Sequence, residues 1–492
     1  MQNTKMPPYH CYEQQLKKEC LLRAKKISTN LFGTTFAYDD GNDDTTDATP
    51  GSTSTGTITD TDTDNGEERR YIVSCSSSGT ITVWNLQVNM NNLHDDDHHN
   101  HNHSHYLPKP FTFQVCNGIL YDVKFVSKND TSTNLSSSSS LLITCGENGV
   151  FIFHWNDIRT AMTKAMSVSM SRYNKNDSSN VQNVISPISV LHPHPTISPT
   201  PIEINRISYD HTSGYLYGAA GDMFGGYIWD LKTSTLLGTL GVRKDGGGGV
   251  KQQIRHTDYL HTIKAISSYN SPSSHLVMTG GEDGKVGLWD GKEHKLIDMI
   301  NCKEGFMKLN ETNAGTLSYS DNGSSSSSSS SSSSLFSTSN NSSSWVSSVD
   351  VDPSAQWAVI GGGIEYHGSS SSSSNKSKQI SKHHDNGFIS LMNLPTRTLS
   401  TFSTTRESIN DVAFHPTQDR IVSVGNNNIV SFWNQLDVSG GRVGRSWSTS
   451  PSSYSIAIDP KSDMMAISGI GSYVDCFSNV GTKLSSLSID MK

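Results

Sequence analysis

Four residues in one strand-rich segment have the types and spacing to form a reactive cluster: His256, Thr279, Asp283 and Trp289. A histidine, a carboxylate and a hydroxyl are the parts of a nucleophilic catalytic set. However, the threonine falls inside a predicted strand, and no turn that could form an oxyanion hole accompanies it. A buried aspartate must be hydrogen-bonded, and the histidine and threonine can supply its partners. We therefore interpret the four residues as a structural tetrad and expect no catalytic residue.

Weaker versions of the tetrad recur along the chain. They consist of Ser74 and Trp84, of Thr144 and Asn148, and of Ser423, Asn427 and Trp433. The pattern is lost gradually from copy to copy, which suits a role in packing. An active site would instead be concentrated in one copy. We expect the protein not to be an enzyme.

Two further motifs are weaker candidates for ligand binding. Residues 94–105 read HDDDHHNHNHSH and could bind zinc or nickel, but nothing in this low-complexity run fixes a coordination geometry. A phosphate-binding loop requires Gly-Lys-Ser/Thr at its end, whereas the glycine run 246–249 is followed by Val250 and Lys251. We interpret both as loops and expect neither a metal nor a cofactor.

The tetrad lies on a repeating unit of short β-strands. The clearest copy, residues 275–290, reads HLVMTGGEDGKVGLWD, and six further copies occupy 71–85, 141–155, 215–230, 357–393, 420–434 and 464–478. A hydrophobic strand precedes most copies, and a fourth short strand often follows. Four strands per unit are typical of a propeller blade, and a lone unit cannot bury its apolar face. The sequence predicts an all-β fold, a seven-bladed β-propeller.

Long polar segments interrupt the repeats. Only 33% of the 492 residues are hydrophobic, which indicates a smaller folded core with long insertions. We predict a basic N-terminal segment with helical character at 1–26 and the propeller at 27–489. Residues 25–38 should form the innermost strand of the first blade and 482–489 the outermost strand of the last. Disordered surface insertions are expected near 39–69, 89–107, 129–140, 160–200, 241–253, 303–343 and 366–386.

Charge and cysteine content exclude several classes of protein. The net charge of −8, from 38 basic and 46 acidic residues, disfavours a surface that binds nucleic acid as a whole. The seven cysteines are scattered without a CxxC pair, so we expect neither disulfides nor a zinc site. Residues 1–30 lack the apolar stretch of a signal peptide, and no run approaches the ~20 apolar residues that span a bilayer. We expect a soluble intracellular protein.

Several segments resemble a known family. They are RHTDYLHTI (255–263), GGEDGKVGLWD (280–290), WAVIGGG (357–363), ISLMNLPTRT (389–398) and GSYVDCFSNVGTKLSSLSI (471–489). They are similar to the THO complex subunit 6 family, WD-repeat components of the THO/TREX assembly. The resemblance implies a nuclear scaffold that couples transcription and processing of mRNA to its export. Its partners would be other THO/TREX subunits, especially the coiled-coil ones, with RNA contact indirect or weak and no membrane contact.

Two alternative functions stay open. The fourth blade contains a candidate adaptor-binding box, Trp289, Asp290 and Lys292, set among Leu276, Val277, Asp283 and Leu288. It resembles the WDxR/K box of substrate receptors of cullin-RING ubiquitin ligases, although lysine lacks the planar fork of the more usual arginine. The third hypothesis is direct RNA binding through the basic stretch 12–26, whose cations are Lys17, Lys18, Arg23, Lys25 and Lys26.

Overall fold

A computed structural model describes residues 29–39, 69–86, 109–128, 140–172, 185–192, 202–221, 223–241, 255–267, 275–304, 342–366, 386–405, 407–434, 437–442, 447–449, 452–462 and 464–489. These residues form seven antiparallel sheets and one long helix. Each sheet is built from strands that are consecutive in the chain. We call the sheets blades 1 to 7 in chain order.

The first four blades contain sixteen strands. Blade 1 comprises β1 (Leu31–Tyr38), β2 (Arg70–Ser76), β3 (Thr80–Asn85) and β4 (Phe111–Gln114). Blade 2 comprises β5 (Leu120–Val126), β6 (Leu141–Gly146), β7 (Gly149–His154) and β8 (Ser189–Leu191). Blade 3 comprises β9 (Ile204–Asp210), β10 (Tyr215–Ala220), β11 (Gly225–Asp230) and β12 (Thr235–Leu240). Blade 4 comprises β13 (Leu260–Ile266), β14 (Leu276–Gly281), β15 (Lys285–Asp290) and β16 (Lys295–Asn301).

The last three blades follow the same order. Blade 5 comprises β17 (Ser342–Val351), β18 (Trp357–Tyr366), β19 (Asn386–Asn393) and β20 (Thr398–Thr405). Blade 6 comprises β21 (Ile409–Phe414), β22 (Arg420–Gly425), β23 (Ile429–Asn434) and two short outer strands, β24 (Asp437–Arg442) and β25 (Trp447–Ser448). Blade 7 comprises β26 (Ser453–Ile458), β27 (Met464–Gly469), β28 (Tyr473–Ser478) and β29 (Lys483–Ser488).

The first strand of each blade lies innermost, and these seven strands contact one another in a closed ring. Contacts run from β1 to β5, β9, β13, β17, β21 and β26, and from β26 back to β1. The second and third strands are almost fully buried because neighbouring blades cover both of their faces. The predicted seven-bladed propeller is confirmed.

The ring closes through side chains. The described part of blade 1 begins with β1 and blade 7 ends with β29, and among the described residues no strand is shared between the two blades. Their contact buries an apolar cluster that includes Leu31, Trp84, Met464 and Leu487. The Trp84 indole N–H also donates to the Ser488 carbonyl oxygen at 3.4 Å.

A helix lies where the sequence indicated only an insertion. Helix α1 (Trp155–Arg172) follows β7, and the short strand β8 lies within the same predicted insertion of 160–200. Trp155, Ile158 and Met162 are spaced for one helical face and are buried against blades 1 and 2. The prediction was wrong for 160–172, because a narrow apolar stripe among polar residues suffices to hold a helix when a blade edge covers it. Residues 12–26, the stretch with predicted helical character, lie outside the described residues.

Successive antiparallel strands give the propeller two faces. We call upper the face at which each innermost strand begins, and where the turns between second and third strands lie, such as 77–79 and 282–284. The turns between third and fourth strands, such as 231–234 and 291–294, lie on the lower face. Most of the remaining predicted insertions fall outside the described residues. No helix in the described part of the chain is long and apolar enough to span a membrane.

Candidate functional site

The four tetrad residues meet inside blade 4. His256 precedes β13, Thr279 lies in β14, Asp283 in the turn after it and Trp289 in β15. His256 Nε2 is 2.8 Å from Thr279 Oγ1, which also accepts a 2.8 Å hydrogen bond from Trp289 Nε1. His256 Nδ1 is 3.0 Å from Asp283 Oδ1. The structure therefore joins the four residues in one continuous hydrogen-bonded chain.

Asp283 is the anchor of this chain. Its carboxylate accepts backbone N–H bonds from Thr257 at 3.0 Å and Lys285 at 3.2 Å, in addition to the contact with His256. Burial opposes ionisation, but these hydrogen bonds outweigh it and hold the pKa of Asp283 below its usual value. His256 and Thr279 are each 1% exposed, so substrate has no access to them. The arrangement fastens the turn and the connection from the preceding blade to the sheet.

The weaker copies of the tetrad keep only part of this geometry. In blade 6, Trp433 Nε1 donates to Ser423 Oγ at 2.8 Å. In blade 1 the expected pair is not joined, because Ser74 Oγ donates to the Gly33 carbonyl oxygen and Trp84 bonds to blade 7. In blade 2, Thr144 Oγ1 donates to the Asp122 carbonyl oxygen at 2.8 Å.

The candidate adaptor-binding box lies on the lower face. Asp290 Oδ1 accepts the backbone N–H groups of Lys292 and Glu293, both at 2.9 Å, and Lys292 is exposed. The same arrangement occurs one blade earlier, where Asp230 Oδ1 accepts the Lys232 N–H at 2.8 Å. The aspartate thus caps a tight turn in both blades, and the exposed lysine is the part of the box that a partner could contact.

Side chains from the innermost strands join neighbouring blades around the central channel. An innermost strand is the edge of its sheet. The N–H groups on its channel side therefore have no partner strand and need acceptors from another blade. Serine and aspartate oxygens of one blade accept such N–H groups from the next at 2.8 to 3.3 Å. The acceptor and donor pairs are Ser455 and Thr34, Asp122 and Ile207, Ser208 and Ala265, Ser348 and Val412, Asp350 and Phe414, and Asp411 and Ile456.

Blades 1 and 2 meet differently. A Cβ atom added at Gly33 would lie 2.8 Å from the Asp122 Cα atom, so only glycine allows the two innermost strands to approach this closely. Blades 4 and 5 are joined by an ion pair, in which Lys264 Nζ is 2.6 Å from Asp350 Oδ1. The contacts between innermost strands therefore use several kinds of interaction around the ring.

One ion pair crosses the channel between blades that are not neighbours. Arg206 of β9 places Nη1 2.8 Å from Asp411 Oδ1 of β21, which joins blade 3 to blade 6. Burial opposes the charged guanidinium, but Asp411 and Asp122 outweigh it and raise the pKa of Arg206. The nearby His261 shows the opposite effect, since burial and then Arg206 lower its pKa to about 4. The imidazole is therefore neutral at physiological pH.

These channel residues were not predicted from the sequence. The only signal was the recurrence of a polar residue near the start of the innermost strands, as in LYDV around Asp122 and INDV around Asp411. The described residues contain no group of three or more His, Cys, Asp or Glu side chains that could hold a metal ion. The histidine-rich tract 94–105 and the glycine run 246–249 lie outside the described residues.

Comparison with known proteins gives two matches. The family model "WD domain, G-beta repeat" matches residues 251–290 and 396–434, which include the tetrad of blade 4 and most of blade 6. THO complex subunit 6 of Arabidopsis thaliana is 25% identical over 371 residues, which cover 75% of this chain and 73% of that protein.

Proposed function

We propose that this chain, a WD-repeat β-propeller related to THO complex subunit 6, is a non-catalytic scaffold subunit of a THO/TREX-like complex. In this role it would bind other subunits, especially coiled-coil ones, in the nucleus. It would thereby couple transcription and processing of mRNA to export, without direct catalysis and with RNA contact indirect or weak.

One observation carries this proposal: the similarity to THO complex subunit 6 extends over 371 residues. A shared WD motif would account for one or two blades of about 40 residues each. The match is about nine times the length of one blade and covers 75% of the chain, so it extends over most of the propeller, including segments that hold no WD motif. A fold alone does not choose a function, so the argument rests on this extent.

The proposal predicts stable association with THO subunits. A tagged full-length chain expressed in its own cells and purified from nuclear extract should co-purify with the coiled-coil THO subunits in near-stoichiometric amounts. Nuclease treatment should leave this association intact, because the contacts are between proteins. Quantitative mass spectrometry measures both results. Recovery of the chain without any THO subunit, or loss of the subunits after nuclease treatment, would contradict the proposal.

A second candidate function is that of a substrate receptor of a cullin-RING ubiquitin ligase. The observation that favours it is the exposed Lys292 beside the Asp290-capped turn on the lower face. If this box binds the adaptor, Lys292→Glu should reduce adaptor binding at least about tenfold, because charge reversal turns an attraction into a repulsion. Asp290→Ala should weaken binding by releasing the turn.

Blade 3 supplies the matched control for this test. Lys232→Glu reverses the same charge on a turn with the same aspartate cap, one blade away. Binding of the purified adaptor to each full-length variant is measured by surface plasmon resonance. Equal binding by the Lys292→Glu and Lys232→Glu variants, or no binding by the native chain, would exclude the receptor function. Direct RNA binding, the third hypothesis, requires affinity that falls steeply with salt and depends on residues 17–26.

A further inference from the structure

The upper mouth of the channel is lined by one extra residue from each blade. Every innermost strand has a β-bulge, where one residue has no partner in the ladder. The bulged residue is the second of the strand in six blades and the sixth in β17. The seven bulged residues are Phe32, Tyr121, Asn205, His261, Ser347, Asn410 and Tyr454. Bulges re-aim side chains and are common beside functional sites.

On one side of the mouth the bulged residues fasten adjacent blades. Asn205 Nδ2 donates to the Leu260 carbonyl oxygen at 2.8 Å, and Asn410 Nδ2 donates to that of Ser453 at 2.9 Å. Ser347 Oγ donates in the same way to the Ile409 carbonyl oxygen. Each accepting residue begins the innermost strand of the next blade. A small polar residue therefore suffices at this position to hold the ring together.

On the other side three aromatic rings replace these polar residues. Phe32 lies between Tyr454 and Tyr121, with ring centroids 5.2 and 5.8 Å apart, respectively. Equivalent residues of three successive blades touch in this way only if their side chains turn toward the common axis. All three rings are partly exposed. We call these three residues the aromatic arc.

Carboxylates lie beside Tyr121 and along the upper face. Burial, and then a hydrogen bond from the Tyr121 hydroxyl to Glu203, raise the pKa of Tyr121, and Glu147 adds to this effect. The exposed or partly exposed acids on the described upper-face connections are Glu147, Glu203, Asp258, Glu282, Glu304 and Glu407, against the cations Arg255 and Lys303. The Arg206 charge below the mouth is paired with Asp411.

From this juxtaposition of partly exposed rings and carboxylates, we propose that the channel mouth binds a linear Lys/Arg-bearing segment of a partner protein. Ring faces attract cations, and the carboxylates of the upper face favour positive charge and reject nucleic acid. An extended basic segment can insert one side chain against the aromatic arc while its neighbours meet the carboxylates on the rim. The inference rests on the proposed scaffold function, since it names the chemistry of one partner.

The test uses the full-length chain and a fluorescein-labelled ten-residue peptide of alternating glycine and arginine. Fluorescence anisotropy at physiological salt should show saturable binding, and the counterpart with glutamate in place of arginine should not bind. Tyr454→Leu removes one ring face and should weaken binding about three- to thirtyfold. Glu203→Gln removes one charge at the same size and should weaken it about three- to tenfold.

The matched control is Glu293→Gln, which removes an exposed carboxylate on the lower face and should leave peptide affinity unchanged. Equal loss in the Glu203→Gln and Glu293→Gln variants would mean that the peptide senses only net charge, and unchanged affinity in Tyr454→Leu and Glu203→Gln would mean that it binds elsewhere. Either result would overturn the proposal. Binding of a fluorescein-labelled ten-nucleotide RNA to the full-length chain, weakened by Tyr454→Leu, would overturn it as well. So would binding that appears only when Lys17, Lys18, Arg23, Lys25 and Lys26 are replaced by serine, because the occupant would then be this chain's own segment.

The peptide-binding test and the co-purification test of the scaffold function can fail independently of each other. If the chain co-purifies with THO subunits but the arginine peptide does not bind, the mouth proposal fails and the scaffold function stands. If the peptide binds at the aromatic arc but no THO subunit co-purifies, the scaffold function fails and the mouth proposal stands.

Discussion

Replacing Asp411 by alanine is expected to lower the free energy of unfolding by about 3–5 kcal/mol, the cost of leaving a buried charge without its partner. The Asp411 carboxylate accepts hydrogen bonds from Arg206 of blade 3, Ser348 of blade 5 and the Ile456 N–H of blade 7. One truncation therefore breaks contacts to three other blades. Urea unfolding followed by tryptophan fluorescence measures the effect.

Two controls separate this effect from a general loss of charge. Asp419 is exposed in the same blade, and Asp419→Ala should change stability by less than about 0.5 kcal/mol. The double variant Arg206→Met/Asp411→Leu removes both charges and should recover a large part of the loss, because no unpaired charge remains buried. If the double variant were as unstable as Asp411→Ala, the ion pair would not be the cause.

Asp283→Ala is expected to destabilise the protein by about 2–4 kcal/mol, because it removes three hydrogen bonds to a buried carboxylate. The partners left behind are His256 and the N–H groups of Thr257 and Lys285. Thermal unfolding of the purified variant measures the loss. The exposed Asp258 in the same blade gives the matched control, and Asp258→Ala should unfold close to the native temperature.

The Asp283 contribution should depend on pH in a defined direction. Its folded pKa is lowered, so its stabilisation is fully present above the unfolded pKa of about 4. The stabilisation is then lost as the pH falls through the lower, folded value. The stability difference between the native chain and Asp283→Asn should be largest at neutral pH and shrink below about pH 4. A difference that grows with acidification would contradict the assigned role of Asp283.

The fold could be predicted because each blade is local in sequence. The Trp433 to Ser423 hydrogen bond joins residues ten positions apart, and such pairs repeat visibly along the chain. Contacts between blades follow no such spacing. Trp84 bonds to Ser488, and Arg206 meets Asp411 across the channel, at separations of 404 and 205 residues. Which residues meet in such contacts depends on the number of blades in the ring and on their positions. No local sequence pattern encodes either.

The aromatic arc and helix α1 were missed for a related reason. Phe32, Tyr121 and Tyr454 each read as one more hydrophobic residue of a strand, and only the bulges bring them together. In α1, Ile158 and Met162 stabilise the helix only because blades 1 and 2 cover them. Sequence periodicity identifies faces within an element, whereas these features arise where separate elements meet.

The closure of the ring without a shared strand has a consequence for synthesis of the chain. Every blade uses only consecutive strands, so blades 1 to 6 can each complete their hydrogen-bond ladders while the ribosome is still translating. The apolar side of blade 1 around Trp84 nevertheless stays uncovered until Met464 and Leu487 emerge. The nascent protein thus exposes an apolar surface until blade 7 has been synthesised, and a stop codon before blade 7 would leave that surface permanently exposed.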